Sequence, residues 1–471
     1  MKKSSDHRAV FGWHFNRKFV LLLALCGALA SCGGGQTSTS SSSPAPSLQP
    51  SLEITQSVVA VQDASTAQAL QPPMPAETPV LQRVPPATTQ APPPRIPPRM
   101  QKAIDQQSAA AGTPESASTQ RLKAVGGMVA NGSDEPAPLP NMVRRTVVAG
   151  IQSPTGIAVS SDGVLLYTER HRGLFAQRPG LPPANVFVEG GSSALSVAVD
   201  PGFRSNQFVY LLLRGFSSSQ ATTRVVRLAL DATVSKVVDR QDILVAITPV
   251  PSKEDRPADS ELGDSLAFGP DGHLYIGLGD LRWGASPQSP KLLAGKVLRV
   301  DSNGQAAPGN RAPDGFDPRV FAYGVQNPVA LAFLPDNETL LIAQTRGHNP
   351  DDVSRVKSGA NGGWDPRCST PGRQYCEKQL AASPEWQPIV RLAGDRLSAL
   401  ERLQQPMWRG WQNAFAMAFD RGQRIDFVRL DVRGQVTQSA TVMRNMNAGF
   451  RAMAQGPDGL YVATSRKVGG D

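Results

Sequence analysis

Two short apolar runs around a tight turn form a phrase that occurs four times between Ile157 and Thr464, and that repetition limits what the chain can fold into. The fullest copy is GDSLAFGPDGHLYIGLGD, from Gly263 to Asp280. The others are IAVSSDGVLLYTER from Ile157, LAFLPDNETLLIAQ from Leu331 and MAQGPDGLYVAT from Met453. Asp-Gly, or Asp336-Asn337 in the third copy, supplies the positive φ such turns need, and alternating Val, Leu and Tyr supply the strands. Leu292 to Ser302 and Phe415 to Val432 are strand-like as well. A strand-turn-strand unit repeated over about 330 residues, with little that reads as helix, predicts an all-β protein, a six-bladed β-propeller with four strands in each blade of roughly 50 to 55 residues. The competing expectation is a set of unrelated hairpins.

The N-terminus predicts export. Lys2, Lys3, Arg8, Arg17 and Lys18 precede the apolar run FVLLLALCGALA (Phe19 to Ala30), too short to anchor as a membrane span and suited to a secretory signal peptide over 1–31. Leu29-Ala30-Ser31-Cys32 resembles the lipobox of bacterial lipoproteins. The resemblance implies that Cys32 is acylated and holds the chain to the cell envelope, and Gly33 after it favours the outer membrane.

Removing the leader lowers the formal net charge from +9 to about +5, which gives no nucleic-acid footprint. Of the four cysteines, Cys26 leaves with the leader and Cys32 is the lipid acceptor. Cys368 and Cys376 remain in one loop, RCSTPGRQYC, and an oxidising compartment makes their disulfide the natural pairing. Residues 32–142 are rich in Ser, Thr, Gln, Pro and Ala, a composition that cannot bury enough apolar area to offset chain entropy, so a disordered tether is expected. LEITQSVVAVQ, from Leu52, is a patch that could order against a partner. The globular domain is expected over 143–471.

Within that domain SPTGIAVSSDGVLLYTER, LSVAVDPGFRSNQFVYLLL with RVVRLALD, GDSLAFGPDGHLYIGLGD, LLAGKVLRVDSNG, VFAYGVQNPVALAF, DDVSRVKSGANGGW and GFRAMAQGPDGLYVAT occur in this order. Together they resemble the soluble glucose/sorbosone dehydrogenase family over nearly all of the chain after Val147. The resemblance implies a six-bladed propeller that oxidises a sugar or polyol with pyrroloquinoline quinone (PQQ) and calcium. That chemistry needs a base for the sugar hydroxyl, a cation at the quinone and positive groups for its carboxylates.

Several positions depart from the family pattern. Where members carry a His, this chain has Glu261, which stands either as a replacement base or as a solvated loop residue, and Asp264 is the next candidate for the proton. Arg282, Asn327 and Arg451 are the candidates to hold the cofactor. The family's Arg-Asn-Pro is Gln326-Asn327-Pro328 here, and an acidic position has become Gln344. Lys296 fits a cofactor role or a structural place on a blade. Asp280, Asp351 and Asp352 are candidate calcium ligands or turn residues, while Trp364 reads as a packing aromatic or a sugar platform. Two functions follow: a lipid-anchored sugar dehydrogenase with an altered site, or a non-catalytic propeller that binds a carbohydrate or a protein.

Overall fold

The computed structural model describes residues 57–63, 137–250, 263–346, 349–368, 375–376, 378–392, 394–444 and 448–466. The leader, Cys32 and Glu261 lie outside the described residues.

Among the described residues the strands form six sheets. Blade 1 holds β3 (Pro154–Val159), β4 (Leu165–Glu169), β5 (Gly173–Gln177) and β6 (Ala184–Phe187) in sequence order. Blade 2 holds β7 (Ser192–Val199), β8 (Phe208–Phe216), β9 (Gln220–Leu230) and β10 (Val237–Pro249). Blade 3 holds β11 (Asp264–Phe268), β12 (Leu274–Leu278), β13 (Lys296–Val300) and β14 (Val320–Tyr323), with β18 (Ala360–Asn361) added in parallel to β14. Blade 4 is β15 (Pro328–Phe333), β16 (Leu340–Arg346), β17 (Asn349–Val356) and β19 (Trp386–Leu392). Blade 5 is β20 (Leu397–Arg402), β21 (Phe415–Phe419), β22 (Arg424–Leu430) and β23 (Val436–Arg444). Blade 6 takes β24 (Ala448–Gly456) and β25 (Gly459–Arg466) from the C-terminal end, then β1 (Ser57–Asp63) and β2 (Met142–Ala149) from the N-terminal side.

Each innermost strand packs on the innermost strand of the next blade, and β24 packs on β3, so the ring closes. The hydrophobic residues fall into six main clusters, one at each junction between blades. Val164 and Leu211, for example, share the core between blades 1 and 2, and Ile157 and Tyr461 the core between blades 1 and 6. This is the β-propeller that the repeated phrase predicts. Each copy of the phrase is the first hairpin of a blade: β3–β4, β11–β12, β15–β16 and β24–β25. The turns have the expected chemistry. Gly163 and Gly272 have φ of 84° and 75°, Asn337 has 58°, and Asp336 accepts the backbone N–H groups of Glu338 and Thr339. Blade 5 departs from this pattern. A 3-10 helix, Pro406–Trp411, joins β20 to β21 and seats Trp408 and Trp411, both fully buried, beside Phe427.

One short part of the stretch 32–142, where a tether is expected, is a strand of blade 6. SVVAVQD, within that stretch, is strand β1, paired antiparallel to β25 on one side and to β2 on the other. The patch has a β-branched and small-residue composition that a sheet edge can accept, and β25 offers that edge. Met142, read as the end of the tether, opens β2. Proline has no N–H for a ladder, so Ala60→Pro, at a position facing both Arg145 and Tyr461, should cost about 1–3 kcal/mol from the unmet hydrogen bond. Thermal unfolding beside wild type checks this, and an unchanged midpoint would show that β1 does not help close the ring.

Candidate functional site

The first strands of the blades begin at a common end of the ring. Asp264 opposes Leu278 there, Pro328 opposes Gln344, Leu397 opposes Phe419 and Gly449 opposes Ser465. This end is called the mouth, and the candidate residues from the sequence converge on it through the turns that follow those positions.

Blades 3 and 4 meet most tightly. The N–H of Gly263 donates to Asn327 Oδ1 at 2.9 Å, and a Cβ on Gly263 would lie 2.6 Å from the Asn327 carbonyl carbon, so no larger residue fits. Asn327 Nδ2 donates to Thr345 Oγ1 at 3.3 Å. Asn327, expected to hold a cofactor, therefore ties two blades together.

Asp264 is buried against Arg214 of β8. The guanidinium reaches both carboxylate oxygens, at 2.7 and 2.9 Å, with the two side chains 1% and 0% exposed. The N–H of Gly279 adds a third donor at 3.1 Å. A carboxylate paired in this way with an arginine is a buried charge pair between blades 2 and 3, and this is where the candidate Asp264 lies.

Asp280 is the centre of a second network. Its Oδ2 accepts from Trp364 Nε1 at 2.7 Å and from the Tyr375 hydroxyl at 3.0 Å, and its Oδ1 accepts from the Arg282 N–H at 2.9 Å. Burial pushes the Asp280 carboxyl up from the ordinary value, against the opposing pull of these hydrogen bonds. The chain brings Trp364 and Tyr375 in by an excursion between β17 and β19, which visits blade 3 as β18 before returning. Cys368 and Cys376 are disulfide-bonded within it, next to Tyr375. The guanidinium of Arg282 lies 5.3 Å from the centroid of the Tyr375 ring, on a backbone with φ of 53°. Trp364 is 1% exposed, so it packs and donates and is not a platform for a sugar.

The remaining candidates are engaged in the same way. Asp351 accepts the N–H groups of Arg346 at 3.1 Å and Leu397 at 2.8 Å, linking blades 4 and 5. Asp352 accepts from Gln344 Nε2 at 3.1 Å, Ser354 Oγ at 2.8 Å and Arg346 Nε. Arg451 donates to Ser465 Oγ at 2.9 Å and pairs with Asp420 at 3.1 Å. Lys296 is fully buried, its Nζ donating to the Ser286 carbonyl at 2.7 Å and lying 5.7 Å from the Phe316 ring centroid.

These pairings decide the fit to calcium and PQQ. Asp280, Asp351 and Asp352 have their oxygens taken by protein donors, and among the described residues no three acidic, His or Cys side chains gather into a metal site. The three arginines Arg214, Arg346 and Arg451 are each neutralised by an aspartate. The described mouth therefore does not fit a calcium ion held by its carboxylates, or a tricarboxylate held by these arginines. Sequence reasoning missed Arg214 and Tyr375. Nothing local marks Arg214, whereas Tyr375 was visible as the aromatic beside Cys376.

Comparison with known proteins adds the lineage. The family described as glucose/sorbosone dehydrogenase matches residues 151–470. An uncharacterised protein of Synechocystis sp. is 26% identical, over 69% of this chain and 84% of that protein. The aldose sugar dehydrogenase YliI of Escherichia coli is 23% identical, over 65% of this chain and 83% of the relative. Among solved structures, the PQQ-bound aldose sugar dehydrogenase of Streptomyces coelicolor superposes with a TM-score of 0.51 at 22% identity, over 68% of this chain and 96% of that one, which shows a shared fold.

Lys296 yields a pH prediction. Burial brings its pKa down from 10.5 to about 7. Between those values the unfolded chain holds the proton and the folded chain does not, so stability should rise with pH across that window; below about 7 the full penalty for a buried ammonium is present. Lys296→Met should flatten this difference when denaturant midpoints are compared at neutral and alkaline pH. A wild-type minus variant difference that does not change with pH would contradict it.

Proposed function

The chain belongs to the glucose/sorbosone dehydrogenase family, and from that premise we propose that it is a lipid-anchored protein of the bacterial cell envelope whose propeller mouth binds a neutral sugar or polyol, with the family's redox site altered. The observation that carries this reading is the mutual pairing of acids and arginines at the mouth: Arg214 with Asp264, Arg346 with Asp352 and Arg451 with Asp420. Such a surface has little net charge to offer a tricarboxylate, but its oriented amides and hydroxyls suit a neutral polyol. The sugar comes from the activity for which relatives such as the aldose sugar dehydrogenase of Escherichia coli are named. The membrane enters through the anchor at Cys32.

A second reading keeps catalysis, with Glu261 taking the proton of the substrate hydroxyl. It is supported by the nearness in sequence of Glu261 to Gly263, which Asn327 holds at the mouth.

Titration of the mature, detergent-solubilised protein with PQQ and calcium, followed by a dye-linked sugar oxidation assay, separates the two. The altered-site reading expects no quinone binding at micromolar concentration and no turnover, with an aldose or polyol still bound by calorimetry. Turnover that falls by at least about a hundredfold in Glu261→Gln, as for loss of a general base, would establish the second reading instead.

The anchor is tested separately. Cys32→Ala should yield protein without acyl chains, either uncleaved at that position or released from the membrane fraction. Mass spectrometry that finds acyl chains on the variant would exclude this anchor.

A further inference from the structure

At the mouth a buried amide oxygen, that of Gln326, stands without a hydrogen-bond donor or an ion-pair partner among the described residues. Gln326 is 7% exposed and its Oε1 has no hydrogen-bond partner, although its backbone is engaged: its N–H donates to Gln344 Oε1 at 3.3 Å and its carbonyl accepts the Asp280 N–H at 2.9 Å.

We propose that Gln326 is the specificity-determining residue of the mouth, and that its Oε1 accepts a hydrogen bond from a hydroxyl of a neutral polyhydroxyl ligand. This rests on the sugar-binding reading above and narrows it. The direction of the hydrogen bonds carries the argument. The Asp280 carboxylate can only accept, so the Tyr375 hydroxyl must donate to it at 3.0 Å. The phenol oxygen is then left as an acceptor, and Gln326 Nε2 fills that role as donor at 3.4 Å. With Nε2 turned to Tyr375, Oε1 has to face the other way. Flipping the amide would set Oε1 against a phenol oxygen whose proton is already given to Asp280. The chain Gln326, Tyr375, Asp280 therefore presents an acceptor and asks for a donor.

That requirement discriminates between ligands. A sugar or polyol hydroxyl can donate to Oε1. A carboxylate cannot, and it would approach an amide oxygen with the Asp280 charge behind it. An arginine at this position would have the opposite preference, since it can only donate. Gln in place of Arg thus makes a position that selects hydroxyls instead of one that would attract carboxylates. A buried acceptor left unmet is costly, and a site built around one rejects ligands that lack the matching donor more strongly than apolar packing can.

The test is calorimetry on the mature protein with D-glucose, D-sorbitol and D-gluconate as probes, for wild type, Gln326→Met and Gln326→Arg. Wild type should bind glucose or sorbitol and bind gluconate no more tightly. Gln326→Met keeps the length of the side chain and removes the acceptor, so it should lose at least about tenfold in affinity for the neutral probe with a melting temperature no lower than that of wild type. Gln326→Arg should lose the neutral probe and gain affinity for gluconate or PQQ, which a structural role for Gln326 would not produce. Equal binding of the neutral probe by wild type and Gln326→Met overturns this inference and leaves the sugar-binding reading standing. Wild type that binds none of the probes overturns both. A crystal soaked with the neutral probe that shows only water at Oε1 also overturns the inference.

Discussion

No blade of this protein buries its own apolar side chains; each hydrophobic core is shared between two neighbours, and the last is shared between blade 6 and blade 1. Burial near 25 cal/mol per Å2 of apolar surface is therefore realised only when every blade has a partner on both sides. Closure of the ring is a condition for the whole fold. It is met without a covalent bond, by β1 and β2 crossing over to complete the sheet that β24 and β25 begin.

The same geometry produces the mouth. Because the first strands start together at one end, the residues just before and after them face one another across blade junctions, and polar side chains there are used first as joints. Asp264 with Arg214 joins blades 2 and 3, Asn327 with Gly263 joins blades 3 and 4, Asp351 with Leu397 joins blades 4 and 5, and Asp420 with Arg451 joins blades 5 and 6. Breaking either ion pair by removing one member leaves a charge without its partner, which is why such pairs resist substitution even where they add little net stability. A site assembled from joints has few groups left over for a ligand, and at the contact of blades 3 and 4 an unmet atom is Gln326 Oε1.

What could be read in the sequence was local. The first hairpin of four blades is written in adjacent residues, a period of two around an Asp-Gly or Asp-Asn turn, and so were β13, β21 and β22 as apolar runs. The disulfide was legible because Cys368 and Cys376 are close in sequence and had no other partner. What escaped depends on distance along the chain. Strand β1 is seven residues of ordinary composition inside a Ser- and Pro-rich stretch, and only the free edge of β25, about 400 residues later, makes it a strand. Asp264 looked like a candidate base because Arg214 lies 50 residues away with no motif around it. Tyr375 meets Asp280 across 95 residues, through an excursion whose return to blade 3 no periodicity announces.

Strand β1 also sets a mechanical relation that a long tether would not. About 24 residues separate Cys32 from Ser57, a contour of at most about 85 Å, whereas the whole stretch to Met142 would allow several times that. A pull on an acylated Cys32 would enter the ring along the axis of β1, between β2 and β25. It would load those ladders in shear, all their hydrogen bonds together, instead of peeling them one by one. The residues between Asp63 and Met142 would lie outside that line of force, so their length would not set the reach between the ring and such an anchor.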